Sequence, residues 1–108
     1  MAFSVSVTAA ALKDAEEYVV FIREQSNDGE AAEKWWNGLL LAIQSLETLP
    51  ARCPHVPEQA YFGPEIRQLI YASHRIIFRI RSRDVLVLRI YHGARKKLKM
   101  SPKKKRPA

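Results

Sequence analysis

Several features that would point to a particular location are missing from these 108 residues. The single cysteine, Cys53, has no partner for an internal disulfide, which fits a reducing cytoplasm. No apolar run approaches the roughly 20 residues of a membrane-spanning helix, and the first residues lack the basic and apolar segments of a secretory signal. We therefore expect a cytoplasmic protein that does not contact a membrane.

The sequence also lacks the residue groups on which many enzymes depend. It shows no glycine-rich phosphate loop, no carboxylate pair recognisable as a catalytic acid and base, no metal-ligand cluster and no Ser/His/Asp set. Cys53 has only His55 close to it, which is not enough for zinc. We expect no cofactor, no metal and no small-molecule substrate. Any catalysis would have to use arginine and histidine side chains.

Positive charge is scarce in the first half of the chain and abundant in the second. Residues 1–49 contain three basic and eight acidic residues, whereas residues 50–94 contain seven basic and three acidic ones. Residues 95–108 add eight basic residues and no acidic one. A partner that carries phosphates or carboxylates should therefore approach the second half.

The hydrophobic pattern changes from strand to helix near the N-terminus. Phe3–Val7 alternates like a strand, and Thr8 is suited to cap the helix that follows. Asn27-Asp28-Gly29 should end this helix, with the glycine in the left-handed position. A second helix is predicted over Glu30–Leu49, ended by Pro50. Two such helices joined by a short turn form a helical hairpin.

The remainder of the chain is typical of strands. Residues 50–65 are proline-rich and predict an irregular loop, followed by strands at Ile66–Tyr71, Arg75–Arg81 and Val85–His92. The order is β-α-α-β-β-β, which predicts an α+β fold: an antiparallel sheet with the helical hairpin packed on one face. We assign residues 1–97 to one domain and residues 98–108 to a basic tail that should be disordered.

Strict alternation divides the last hairpin into two faces. It predicts a core face of Ile76, Phe78, Ile80, Leu86, Leu88 and Ile90. It places on the other face Arg75, Arg79, Arg81 and Arg89 among Ile77, Val85, Val87 and Tyr91. Such a basic face is suited to meet an anion, although arginines are also common on solvated strands.

The candidate site combines arginines with one histidine. The arginines that lie on the three predicted neighbouring strands are Arg67, Arg75, Arg79 and Arg89. They could bind a phosphate through charge-assisted hydrogen bonds, and His92 could transfer a proton near neutral pH. Two structural alternatives stay open: His92 could simply pack at a strand end, and Arg89 could form a salt bridge with Glu58 or Glu65.

Two runs in the second half belong together: Ile66-Arg67-x-Leu-Ile-x3-His74-Arg75-Ile-Ile-Phe-Arg79 and, after it, Val85-Leu-Val-Leu-Arg89-Ile-Tyr-His92-Gly93-Ala94-Arg95. With them, the chain resembles the RelE/ParE superfamily of type II toxin–antitoxin systems. The resemblance covers about residues 3–97. It implies the β-α-α-β-β-β fold, a bacterial cytoplasm and a cognate antitoxin that wraps a helix and a strand around the toxin. An unpaired edge at strand 3–7 or 66–71 would accept that partner strand.

The superfamily has two activities, and this chain resembles both branches. As a RelE-like mRNA endonuclease acting on the ribosome, it would hold the phosphate with Arg75 and Arg67 and transfer the proton with His92. The chain lacks the lysines and terminal tyrosine of those nucleases. As a ParE-like poison of DNA gyrase, it would need no catalytic residue. Its contact surface would then be Arg79, Arg89, Arg95, Lys96 and Lys97. We favour the gyrase poison.

The basic tail suggests one further alternative, a non-catalytic nucleic-acid-binding module. Neutralisation of phosphates by residues 99–108 would then be the whole function. The tail has no aromatic residues interleaved for base stacking, which argues against this interpretation.

Overall fold

The computed structural model describes residues 2–57 and 65–93. The elements in chain order are β1 (Ser4–Val7), α1 (Ala9–Ser26), α2 (Gly29–Gln44), two short 3-10 turns (Ser45–Glu47 and Pro50–Arg52), β2 (Ile66–Tyr71), β3 (His74–Arg81) and β4 (Asp84–His92). The predicted α+β fold with the order β-α-α-β-β-β is therefore confirmed. No helix in these two ranges is long and apolar enough to cross a membrane.

The four strands form one sheet in the order β1-β4-β3-β2. The pairs β2–β3 and β3–β4 are antiparallel, as tight two-residue turns require. β1 instead pairs parallel with β4, with Val5 opposite Val85. The prediction of a purely antiparallel sheet is wrong in this detail, because the helical hairpin returns the chain to the opposite edge before β2 begins. β1 is thus an edge strand.

The turn between the helices uses different residues from those predicted. The Thr8 hydroxyl accepts a hydrogen bond from the Ala11 amide at 3.1 Å, which confirms it as the cap of α1. The left-handed residue that ends α1 is Asn27, with φ of 53°, and not Gly29. The Asp28 carboxylate then caps α2 by accepting from the amides of Glu30 and Ala31. Gly29 is the first residue of α2.

The second helix is shorter than predicted. It ends at Gln44 and not at Leu49, and a 3-10 turn follows. Leu49 has a left-handed backbone, with φ of 47°, and lies just before Pro50. A proline disfavours helical geometry in the residue before it, so the helix could not extend to Leu49. The Arg52 guanidinium donates to the Thr48 and Leu49 carbonyls and so closes this turn.

The main core lies between the helical hairpin and one face of the sheet. Its central side chain is Phe78 of β3, which has no exposed surface. The largest buried groups around it are Leu39, Leu46, Ile76, Val85, Val87 and Ile90. Ala11 and Ala15 let α1 approach the sheet closely, because their side chains are small and almost fully buried. The helices therefore cover one face of the sheet, as predicted.

A β-bulge in β4 changes which residues share a face. Ile77 pairs with Arg89 and the next residue, Phe78, pairs with Val87, so Leu88 has no partner on β3. Before the bulge the buried residues are therefore Val85 and Val87, not Leu86 and Leu88 as alternation predicts. After the bulge Ile90 is buried, as predicted. One extra residue reverses the two faces, and the sequence pattern does not reveal it.

The sheet's other face is not an open arginine surface. Val56, Ile66, Ile77 and Tyr91 form a second buried cluster there, with Leu88 packed against it. Part of the predicted loop is ordered along β2: the Val56 amide donates to the Ile66 carbonyl at 3.1 Å and the Gln68 amide to the Pro54 carbonyl at 3.0 Å. Residues 54–56 thus partly cover this edge of the sheet.

Gly38 in the middle of α2 is required by a close approach of Tyr71. A Cβ atom on Gly38 would overlap the Tyr71 hydroxyl, which donates to the Trp35 carbonyl at 2.9 Å. We expect Gly38→Ala to lower the free energy of unfolding by about 1–3 kcal/mol despite the better helix propensity of alanine. Denaturant unfolding measures this effect.

Two further variants test the cause of that loss. Gly29→Ala should be neutral or slightly stabilising, because its Cβ would meet no described atom within 4 Å beyond its chain neighbours and the backbone of its own helix. The double variant Gly38→Ala/Tyr71→Phe should lose less stability than the sum of the two single losses, since Tyr71→Phe removes the overlapping oxygen. Additive effects of the two substitutions would contradict this explanation.

Candidate functional site

Four aromatic rings meet where the helical hairpin crosses the ends of β3 and β4. We call Tyr18, Trp35, His74 and His92 the histidine corner. The His74 ring lies 4.2 Å from the Tyr18 ring and 5.1 Å from both the Trp35 and the His92 ring, measured between centroids. His74 and His92 are opposite each other on β3 and β4, so the strand register itself pairs them.

His74 is held in its neutral form. It is 3% exposed, and burial together with the neighbouring His92 lowers its pKa from 6.5 to about 4. Among the described residues, the Nδ1 atoms of both histidines are buried without a hydrogen-bond partner, as is Nε1 of Trp35. Buried imidazole nitrogens without a hydrogen-bond partner are unusual inside a protein and mark this corner for attention.

A cleft of about 260 Å³ opens beside the corner, between α1 and β4. Its lining includes Glu17, Tyr18, Phe21, His74 and His92. Asp14 and Arg89 also line it, and they neutralise each other. The cleft is therefore not strongly basic, unlike a phosphate-binding pocket.

Arg75 lies on the opposite face of the sheet from His92. Side chains alternate along β3, so Arg75 points away from the helices that His74 contacts. Its Nε donates to the Gln68 side chain at 2.8 Å, and the residue is 9% exposed. A separate cleft of about 440 Å³ includes Arg75, Gln68, Ser73 and Gly93 in its lining. The structure thus separates the predicted phosphate ligand from the predicted proton-transfer group.

Arg67 and Arg89 both hold parts of the fold together. The Arg67 guanidinium donates to the Cys53 carbonyl at 2.7 Å and to the Ala51 carbonyl at 3.2 Å, which fixes the chain after α2. Arg89 pairs with Asp14 of α1 at 2.8 Å, and this hydrogen bond raises its pKa. The predicted salt bridge of Arg89 with Glu65 is wrong, because the bulge turns the guanidinium toward α1. Glu58, the other predicted partner, lies outside the described residues.

Of the remaining predicted contact residues, one lies on β3 and three lie outside the described part of the chain. Arg79 lies on β3, opposite Ile66 and Leu86, and is partly exposed. Arg95, Lys96 and Lys97 lie outside the described residues, as does the predicted tail. His74 is the residue that sequence reasoning missed, because the strand pattern assigns it to a turn. Alternation could have found it, since His74 lies in phase with the buried Ile76 and Phe78.

The three residues predicted for a nuclease, Arg67, Arg75 and His92, do not converge on one point. His92 lies in the aromatic corner, Arg75 on the opposite face and Arg67 beside the turn after α2. In residues 2–57 and 65–93, no three His, Cys, Asp or Glu side chains are close enough to hold a metal ion. The residues predicted for catalysis therefore occupy separate environments.

Comparisons with known proteins agree with the fold. The family model for the ParE toxin of the type II toxin–antitoxin system parDE matches residues 5–97. A solved structure of the chromosomal ParDE system from P. aeruginosa aligns with a TM-score of 0.69 and 18% identity, over 83% of this chain and 95% of that chain. The RelBE2 toxin–antitoxin complex from Mycobacterium tuberculosis aligns with a TM-score of 0.56 and 16% identity, over 85% and 99% of the two chains. No curated protein sequence matches this chain.

At these identities the two solved structures show a shared fold, whereas the family model rests on the sequence itself. It spans all the described helices and strands except the first residue of β1. The resemblance to the RelE/ParE superfamily is thereby confirmed. This chain belongs to the ParE toxin family of type II toxin–antitoxin systems.

Proposed function

We propose that this toxin arrests growth by poisoning DNA gyrase and that a cognate antitoxin neutralises it. The observation that carries this proposal is the separation of Arg75 and His92 on opposite faces of the sheet. A metal-independent nuclease needs its phosphate ligands and its proton-transfer group around one phosphate. A gyrase poison needs only a contact surface.

The other two predicted nuclease groups support the same conclusion. Arg67 is bound to the Cys53 and Ala51 carbonyls. His92 has a buried Nδ1 atom and lies against His74. Using Arg67 in catalysis would require breaking hydrogen bonds that hold the fold, and His92 lies beside neither Arg67 nor Arg75. For the gyrase surface we propose the partly exposed Arg79 and Arg89 together with the basic residues Arg95, Lys96 and Lys97.

An antitoxin partner is supported by the fold and by the relatives. Both solved relatives are toxin–antitoxin systems. The edge strand β1 pairs only with β4 among the described strands, so its outer side has free backbone groups that a partner strand could bind.

Induction of the chain in bacterial cells tests the proposed target. We expect filamentation and double-strand breaks in DNA while protein synthesis continues. The variant His92→Gln should be as toxic as the wild type, because gyrase poisoning needs no proton transfer. DNA integrity, radiolabelled amino-acid incorporation and mRNA length are measured in the same cultures.

The control is His55→Gln, which changes an exposed histidine on the segment beside β2. Both variants must accumulate to wild-type levels for the comparison to count. An early collapse of protein synthesis with fragmented mRNA, lost in His92→Gln and kept in His55→Gln, would overturn the proposal in favour of the ribosome-dependent nuclease. Loss of toxicity on deletion of residues 99–108 alone would instead favour the nucleic-acid-binding module.

A further inference from the structure

The histidine corner joins the helical hairpin to the sheet. Tyr18 comes from the middle of α1 and Trp35 from the first half of α2, and both rings pack on His74 at the start of β3. Tyr71, at the end of β2, adds a hydrogen bond from its hydroxyl to the Trp35 carbonyl. Every element that meets at this end of the domain therefore contacts His74 or one of its immediate neighbours.

The surroundings of His74 suit a neutral ring and not a charged one. Its Nδ1 atom is buried and has no hydrogen-bond acceptor in the described part of the chain. On β4 the nearest titratable group is His92, whose positive charge would repel a charged His74. The nearby carboxylates belong to α1: Asp14 is committed to Arg89, and Glu17 lines the cleft. α1 also contributes Tyr18, β2 contributes Tyr71, whose pKa is raised by burial, and α2 contributes Trp35, which does not titrate.

We propose that the histidine corner is an acid-sensitive latch, in which protonation of His74 detaches the helical hairpin from the sheet. While Tyr18 and Trp35 pack on the His74 ring, a positive charge on that ring is poorly solvated. Both aromatic rings belong to the helices, so hydration of His74 draws the helices away from it, whereas the sheet strands are also held by their own backbone hydrogen bonds. The toxin would thus lose its helical face before its sheet when its surroundings become acidic.

The direction of the effect follows from proton linkage. His74 in the unfolded chain binds a proton near pH 6.5, whereas in the folded protein its pKa is about 4. The stabilising contribution is therefore complete above pH 6.5 and is lost as the pH falls toward 4. Between pH 7.5 and pH 5, the ratio of protein with its helices packed on the sheet to protein with its helices detached should fall about 30-fold through His74 alone.

Hydrogen exchange of the full chain at several pH values tests the latch, after correction for the intrinsic pH dependence of exchange. We expect amides of α1 and α2 to lose about 30-fold in protection between pH 7.5 and pH 5, while those of β3 and β4 lose much less. Fluorescence of Trp35, measured in a Trp36→Phe background, reports the same opening at the corner itself.

Three variants isolate the residue responsible. His74→Phe keeps an aromatic ring that cannot titrate and should remove the pH dependence of helix protection. His92→Gln leaves His74 in place but removes the charge that repels its protonated form, so the loss at pH 5 should become smaller. His55→Gln changes an exposed histidine far from the corner and should behave as the wild type.

Two results would overturn the proposal. One is that the pH dependence of helix protection does not come from His74. In that case the wild-type helices keep their protection down to pH 5, or the helices of His74→Phe lose as much protection as those of the wild type. The other is a simultaneous loss of protection in all four strands, which would mean ordinary global acid unfolding. If His74→Phe fails to fold, the His92→Gln and His55→Gln proteins still decide between these outcomes.

Discussion

Deletion of Leu88 is expected to be tolerated, at a cost close to that of Leu88→Ala. Leu88 is the extra residue of the bulge in β4. Without it, the other residue pairs between β3 and β4 can all stay as they are, and Val85, Val87 and Ile90 fall on one face by simple alternation. The main core would then keep its buried apolar side chains.

The size of this effect can be estimated from burial. Val85 and Val87 are almost fully buried, and the burial of each contributes about 1.5–3 kcal/mol. Because both keep their places, the deletion should cost only the packing of the partly buried Leu88, about 1–2 kcal/mol. Loss of both valines from the core would instead cost about 3–6 kcal/mol, which is comparable with the whole stability of a small domain. Leu88→Ala removes a partly buried side chain without changing the register and should cost about 1–2 kcal/mol.

Denaturant unfolding followed by circular dichroism compares the two proteins. Both variants should show a cooperative transition with a reduced midpoint, and their free energies of unfolding should agree within about 1 kcal/mol. A deletion variant without a cooperative transition would show that the bulge itself, and not only the residue pairs on either side of it, is needed for the fold.

The bulge also marks the limit of what the sequence can predict about the sheet. Strand positions follow from composition: the predicted strand Ile66–Tyr71 is β2, with the same bounds. Which face each residue occupies does not follow, because alternation assumes an unbroken register and Leu88 breaks it. Val85-Leu-Val-Leu is apolar at every position, so both registers present a hydrophobic face and the pattern cannot choose between them.

The candidate site is predictable only in part, for a related reason. Arg67, Arg75 and Arg89 do lie on three neighbouring strands, as the sequence indicates. Their partners are set by tertiary contacts across long separations, such as Arg89 with Asp14, which no local pattern encodes. The role of His74 depends on two helices that cross it, and sequence periodicity places those helices on the sheet without placing them over a particular residue.

Asp14→Ala should be the most damaging single substitution on the surface of α1. One carboxylate accepts three hydrogen bonds: from Nε of Arg89 at 2.8 Å, from Nη2 of Arg89 at 2.9 Å and from the backbone amide of Ile90 at 2.9 Å. The Asp14 side chain is only 13% exposed. Its removal leaves a half-buried guanidinium and a backbone amide without this acceptor, at a cost of about 2–4 kcal/mol.

Comparison with other substitutions separates charge from hydrogen bonding. Asp14→Asn keeps an acceptor for the Ile90 amide and should cost about half as much as Asp14→Ala. Glu16→Ala removes an exposed carboxylate from the same helix and should change stability by less than about 0.5 kcal/mol. Thermal and denaturant unfolding of the three variants give these values directly.

A double-mutant cycle with Arg89→Met then tests whether Asp14 acts through Arg89. If it does, Asp14→Ala should cost much less in the Arg89→Met protein, with a coupling of about 1–2 kcal/mol. The remaining cost would belong to the Ile90 amide, which still loses its acceptor. Equal costs in both backgrounds would mean that the ion pair contributes nothing. Asp14 would then act only as a cap on the β4 backbone, and α1 would be held to the sheet by its buried alanines and by the histidine corner.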